Sequence, residues 1–154
     1  MDSKKSKIIG VIGQGHDCST ELVKAAEEVG YFIAQRNAIL ICGGLGGVME
    51  AACRGCKRGG GTTIGVIPTK QKSDANEFVD IPIVTGFGEA RNIIIVRSAD
   101  ALIAVGGKYG TLSEIAFALS FGKPIVGLHT WQNLGQIIHV DSAKQAVETV
   151  FKLL

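Results

Sequence analysis

Nothing in the 154-residue chain approaches the ~18 consecutive apolar residues that a membrane-crossing helix requires, and no secretory h-region precedes its first strand-like segment. The expectation is a cytoplasmic protein with no membrane partner, its cysteines Cys18, Cys42, Cys53 and Cys56 reduced. A basic face is missing too: net charge is +2, and the densest basic cluster is Lys4, Lys5 and Lys7 at the start. Nucleic acid is therefore not an expected partner. There is no Walker A motif, because Gly122-Lys123 runs into Pro124. GxGxxG after the first strand would need its third glycine at Cys18, and no acid ends the second strand, where a ribose-binding Asp or Glu belongs. Those gaps argue against a dehydrogenase and a P-loop NTPase. Metal ligation is poorly supported as well. Cys53-x-x-Cys56 has no second pair at matching spacing and sits inside a helical stretch, where it reads as small packed side chains. His129 and His139 have no acidic or cysteine partner at ligand spacing. No metal is expected, and no cofactor is required.

Glycine is what the chain has in abundance. Its 21 glycines are roughly double the usual share of about 7%. They cluster at the ends of apolar runs instead of scattering as in a low-complexity segment. With 46% apolar and 19% charged residues, the composition suits one compact domain, residues 1–154, with no linker and no repeat.

Strand-length apolar runs alternate with helix-length amphipathic ones. Lys7–Ile12, Ala38–Cys42, the TIGVIP run ended by Pro68, IPIV, ALIAV, PIVGL and a brief IIHV read as strands. Helices are predicted in TELVKAAEEVGYFIAQR, capped by Ser19 or Thr20, and in VMEAACRGCKR, EARNIIIVRSA, TLSEIAFALSF and SAKQAVETVFKLL. In the third of these, Ala90, Ile93, Ile94 and Arg97 are expected to share a face. The polar segment TKQKSDANEF shows no element. Strands this apolar are buried on both faces, which points to a mainly parallel sheet between helices: a Rossmann-like three-layer α/β/α domain.

In such a sheet, ligands bind beyond the carboxyl ends of the strands. Four glycine-bearing loops fall there: Gly13-Gln14-Gly15, Gly43-Gly44-Leu45-Gly46-Gly47, Gly86-Phe87-Gly88 and Gly106-Gly107-Lys108-Tyr109-Gly110. Each leads into a predicted helix and can aim free N–H groups at an anion. The expected partner is a small phosphorylated ligand, single-nucleotide in size. The candidate binding residues are Gly13, Gly15, Gly43, Gly44, Gly46, Gly107, Lys108, Gly110 and Thr111.

Two charges stand out beside these loops. Arg91 lies in the first turn of a predicted helix, where a cation is disfavoured unless an anion is near. Glu114 lies three residues past Thr111, so T-x-x-E could be only a capping box, or Glu114 could face the crevice as a working carboxylate. His16 reads as a solvated loop histidine, and for Trp131, the only tryptophan, the sequence does not choose between pocket and oligomer contact.

At these residues the chain resembles the LOG family and the wider SLOG superfamily, whose LOG branch is often mislabelled as lysine decarboxylase. The resemblance covers most of the chain. It rests on ICGGLGGVMEAACRGCKRGGGTTIGVIP and, more specifically, on EARNIIIVRSADALIAVGGKYGTLSEIAFALSFGKPIVGL. LOG enzymes are phosphoribohydrolases of cytokinin nucleoside 5′-monophosphates with a PGGxGTxxE loop. The resemblance implies Arg91 and Glu114 as catalytic residues if the chain is an enzyme, and Gly110 and Thr111 as phosphate ligands. The family's proline, second glycine and post-arginine lysine are replaced by Gly106, Lys108 and Asn92. Those departures resemble a sister group of short SLOG proteins that includes the molybdenum-cofactor carriers. That likeness implies a binding or carrier protein for a phosphorylated nucleotide- or pterin-type ligand such as molybdenum cofactor. The alternative it implies is a LOG-like phosphoribohydrolase. Decarboxylation is not expected, since no pyridoxal-binding lysine context is present. A homodimer or homotetramer is implied, with the Arg91 helix as a contact.

Overall fold

The computed structural model describes residues 5–154; Met1 to Lys4, including one lysine of the basic start and the head of the expected domain, lie outside the described residues. Seven strands form one sheet: β1 (Ile8–Gly13), β2 (Ile39–Cys42), β3 (Thr62–Ile67), β4 (Ile81–Val84), β5 (Ala101–Val105), β6 (Ile125–Leu128) and β7 (Ile138–Val140). Their order is β4-β3-β2-β1-β5-β6-β7. Every pairing is parallel, so the mainly parallel sheet expected is wholly so.

Five helices cover the two faces. α1 (Thr20–Gln35), α2 (Val48–Arg58) and α5 (Ala143–Leu153) pack on one side, where Ile33, Val29 and Val147 meet Ile9, Leu40 and Ile103. α3 (Asn92–Ser98) and α4 (Tyr109–Ser120) pack on the other, where Ile95, Val96 and Ile115 meet Ile12, Ile41 and Leu102. Because both faces are covered, β5 is apolar and buried along its whole length. This is the three-layer arrangement of a Rossmann-like domain. No helix among the described residues is long and apolar enough to cross a membrane.

Local chemistry sets the ends of the elements. Ser19 caps α1 by accepting the Leu22 N–H at 3.1 Å, which settles the choice between Ser19 and Thr20. The close packing of α1 on α2 requires Gly30 and Gly55: a Cβ at either would fall within 2 Å of a carbonyl oxygen of the other helix. The polar segment before β4 holds one short 3-10 turn, 72–74, which twofold and 3.6-residue periodicity cannot register.

The Arg91 segment departs from its prediction. Residues 88–91 form a 3-10 turn and α3 begins only at Asn92. Its buried side is Asn92, Ile95 and Val96, while Ala90, Ile93 and Arg97 face outward. The tighter turn rotates the following helix relative to one continuous α-helical register. Cys53 and Cys56 are buried in α2 as packed side chains with free thiols, as their spacing suggested.

Candidate functional site

The strand order reverses at β1, whose neighbours are β2 and β5. Beyond the carboxyl ends of these strands opens a cavity of about 400 Å³. The loops after β1, β2 and β5 and the turn before α3 line it. The volume is at the small end of ligand sites and suits one nucleotide-sized molecule.

The helix starts that border the cavity are built differently from those of α1 and α5. α1 and α5 are capped by the side chains of Ser19 and Ser142. α2 and α4, whose first turns border the cavity, begin at Gly47 and Lys108, and neither residue supplies a side-chain cap. The first helical hydrogen bond of α4 runs from Leu112 N–H to Lys108 O at 3.0 Å, so the N–H groups of Tyr109, Gly110 and Thr111 precede it. Gly110 carries the clearest signal. Its φ is not positive and, apart from its chain neighbours and the backbone of its own helix, no atom of the described residues lies within 4 Å of where its Cβ would be, so neither backbone strain nor packing explains the glycine. Open space at a cavity-lining glycine is room for a ligand.

Thr111 is the third residue of α4 and Glu114 the sixth. The Thr111–Glu114 capping box therefore does not form, because the helix starts one turn earlier than T-x-x-E suggests. Glu114 is instead buried against the cavity, 7% exposed. Burial pushes its carboxyl up to about 8, against the pull of the Arg91 guanidinium, with Cys42 and Glu89 adding to the rise.

Arg91 is 5% exposed and also lines the cavity. Its Nη1 donates to Asn92 Oδ1 and lies 3.7 Å from the Glu89 carboxylate at the rim, while its buried Nε has no partner among the described residues. Asn92 Nδ2 donates onward to Ser113 Oγ at 3.4 Å, and Ser113 Oγ donates to Gly110 O at 2.6 Å. The arginine is thus connected through Asn92 and Ser113 to the start of α4.

Of the residues that the sequence marks, Gly13, Gly15, Gly43, Lys108, Gly110, Thr111, Arg91 and Glu114 line this one cavity. Gly44, Gly46 and Gly107 stand behind it. Gly44, at φ +75°, packs on Gly65 and Ile67; Gly46 faces Gly15; Gly107, at φ +122°, backs onto Thr111. These three shape the loops without lining the cavity. Sequence reasoning missed Gln14, Met49, Glu89 and Asn92. Gln14 had a usable signal, an amide between two glycines at a strand end. His16 stands at the rim with an exposed side chain. Trp131 lies outside the cavity lining, but its Nε1 donates to Lys108 O at 3.1 Å and so holds the outer side of the α4 loop.

The chain matches the SLOG cluster4 family over residues 6–152. It belongs to that family. Among solved structures, the molybdenum cofactor binding protein of Rippkaea orientalis superposes with a TM-score of 0.93 at 38% identity, covering 98% of this chain and 99% of that one. The molybdenum cofactor carrier protein of Chlamydomonas reinhardtii superposes with a TM-score of 0.87 at 39% identity, covering 97% and 98%. A Mycobacterium tuberculosis cytokinin riboside 5′-monophosphate phosphoribohydrolase is 37% identical over 72% of this chain. That match spans only 64% of the enzyme's own length. The SLOG chain is thus matched end to end by the first two proteins and in part by the third.

Proposed function

We propose that this SLOG protein is a cytoplasmic binding protein, of carrier type, for a phosphorylated pterin- or nucleotide-type ligand such as molybdenum cofactor. The observation that carries the reading is the start of α4: an uncapped first turn, a glycine with empty space over it, and Lys108 beside it at the cavity mouth. A terminal phosphate suits that position, where the N–H groups of Gly110 and Thr111 and the positive helix end favour an anion. The full-length likeness to the two molybdenum-cofactor proteins supports the choice of cargo.

The residues present fit such a cargo. The unpartnered Arg91 Nε leaves this buried cation with unused hydrogen-bonding capacity beside the cavity, and Gly13, Gly15 and Gly43 line it while letting Val48, Met49 and Arg91 pack close to the backbone. Lys108 neutralises the phosphate, and Arg91 faces the anionic or carbonyl groups of the ring end. Glu114, protonated below about pH 8, can donate a hydrogen bond to a ring acceptor without placing a negative charge beside the phosphate. Lys108 Nζ lies 3.3 Å from Asp17 Oδ2. Both side chains are exposed, so that pair is weak and exchangeable.

A second reading is favoured by one observation, the pairing of Glu114 and Arg91 in the same cavity: hydrolysis of the N-glycosidic bond of a nucleoside 5′-monophosphate. There Glu114, in its ionised form, would stabilise an oxocarbenium-like sugar or activate water, as carboxylates do in glycoside cleavage, which its burial confines to alkaline pH. One experiment separates the two. The purified protein is analysed by native mass spectrometry for co-purifying ligand and incubated with nucleoside 5′-monophosphates. Retained ligand with no free base or ribose 5-phosphate supports the carrier. Base release that disappears in Glu114→Gln overturns it in favour of the hydrolase.

The protein is proposed to act as a homo-oligomer. β4 is an edge strand with Ile81 and Ile83 exposed, and Phe87 (65% exposed) and Ile93 follow it around the Arg91 turn.

A further inference from the structure

Among the described residues, Gln14 is the one bonded to all three glycine loops that enclose the cavity. Its backbone carbonyl accepts the Val48 N–H at 3.0 Å, which fixes the start of α2 and the β2 loop. Its side-chain Oε1 accepts the Gly107 N–H at 3.1 Å, across to the β5 loop. Its Nε2 donates to Asp17 O at 3.0 Å and to His16 O at 3.3 Å, folding its own loop back on itself. The glycines around it are fitted to this arrangement. A Cβ on Gly47 would fall 2.4 Å from Gln14 O, and one on Gly106 would fall 3.3 Å from Gln14 Oε1.

The side chain must both accept and donate, which is why an amide stands here: a carboxylate lacks the donor and an aliphatic chain lacks both. Its bond to Gly107 also has a consequence for the ligand. With the Gly107 N–H already engaged, the donors of this loop left for a ligand begin at Lys108 and run into the first turn of α4. Thr130 Oγ1 donating to Gly106 O and Trp131 Nε1 donating to Lys108 O hold the same loop from its outer side. The loop is thus set from both sides, and Gln14 is the member on the cavity side.

Resting on the phosphate-binding reading above, we infer that Gln14 is a positioning residue for ligand recognition. It holds the Gly107–Thr111 backbone against the β1 and β2 loops, so that the free N–H groups of α4 converge on one phosphate. It acts through those N–H groups.

The test uses inorganic phosphate as the probe, followed at the Gly110 and Thr111 amides by 15N–1H NMR, on the wild type, Gln14→Leu and Gln14→Glu. Hydrogen exchange is measured on the same samples. The wild type is expected to show saturable shifts at these amides. Gln14→Leu should weaken phosphate at least tenfold and expose the Gly107 amide to exchange, while the Val48 amide, bonded to the main chain of residue 14, stays protected. Gln14→Glu keeps the acceptor for Gly107, so that amide stays protected, yet the loss of both donors and the added charge should again weaken phosphate at least tenfold. Wild-type protein without shifts at Gly110 and Thr111 overturns the phosphate reading, and this inference with it. Wild-type binding with Gln14→Leu affinity within twofold overturns the inference alone. Loss of Val48 protection together with binding in both variants means general loosening and also overturns it.

Discussion

Gly43 lies against the guanidinium of Arg91: a Cβ built on it would sit 2.7 Å from Nη2 and 3.1 Å from Cζ, and 2.6 Å from Met49 Sδ. Arg91 is buried and already engaged with Asn92, so it cannot swing away freely. Gly43 has no positive φ, and its substitution is therefore a steric test without a backbone penalty. Gly43→Ala is expected to displace Arg91 and Met49 at a cost of about 1–3 kcal/mol in stability, the usual range for overpacking. Affinity for a phosphorylated pterin or for guanosine 5′-monophosphate, which shares the 2-amino-4-oxopyrimidine ring, should drop about tenfold, or ~1.4 kcal/mol. Titration calorimetry and thermal melts read both; unchanged affinity would remove Arg91 from the ligand's contacts.

The raised carboxyl of Glu114 ties stability to pH. In the unfolded chain it titrates near the ordinary glutamate value of about 4.3. In the fold it holds its proton to about pH 8, chiefly because it is buried. Below about pH 4 both states are protonated and the contribution is fully present. As pH rises toward 8, only the unfolded state releases the proton, so stability falls, by at most on the order of 5 kcal/mol. Glu114→Gln keeps the shape and removes the titration. Compared with wild type, the variant should gain stability steadily between pH 5 and 8 in urea melts. Parallel stability curves for the two proteins would show that Glu114 ionises normally.

The layer order was legible because strand-length apolar runs such as ALIAV alternate with helix-length amphipathic ones. Glycines at the strand ends located the site edge, since that edge of a parallel sheet carries the loops that run from strand into helix. Less could be read where geometry depends on a local winding choice. The 3-10 turn at residues 88–91 leaves Ala90, Ile93 and Arg97 outward but turns Ile94, expected on the same face, toward the core, and no periodicity in seven residues announces it. The early start of α4 at Tyr109 undid the capping box, and it could not be read because Gly110, a residue that favours turns, lies inside the helix. Gly44, Gly46 and Gly107 could not be told from Gly43 and Gly110 by sequence, as all five share one pattern while only contacts separate support from lining. Gln14 was passed over because its role rests on partners 3 and 93 positions away.

The exposed apolar face around Phe87 leads to an association prediction. Phe87 and Ile93 flank the turn that carries Arg91, and Ile81 and Ile83 lie on the edge strand before it. Light scattering after gel filtration should give a mass above that of one 16.2 kDa chain. Phe87→Glu combined with Ile93→Glu should shift the protein to monomers with its fold intact by circular dichroism. A wild-type monomer at tens of micromolar would remove the oligomer, and an undissociated double variant would move the contact elsewhere.

Gly110 makes the sharpest division between a helix that merely starts and a helix that holds an anion. Alanine fits the free protein there, with no atom of the described residues beyond its chain neighbours and its own helix's backbone within 4 Å of its Cβ, and no positive φ to oppose it. In a helix, alanine is also favoured over glycine by up to ~1 kcal/mol. Gly110→Ala should therefore raise the melting temperature by a few degrees. If a phosphate sits against the first turn of α4, the same methyl group occupies its place, and affinity for guanosine 5′-monophosphate should drop tenfold or more, ~1.4 kcal/mol at least. Opposite signs in stability and binding are the signature of a glycine kept for a ligand. Trp131, bonded to the carbonyl of neighbouring Lys108, is the only tryptophan and supplies the optical readout of the titration. A stabilised variant with undiminished binding would place the phosphate away from α4, leaving the uncapped start of α2 as the remaining cradle.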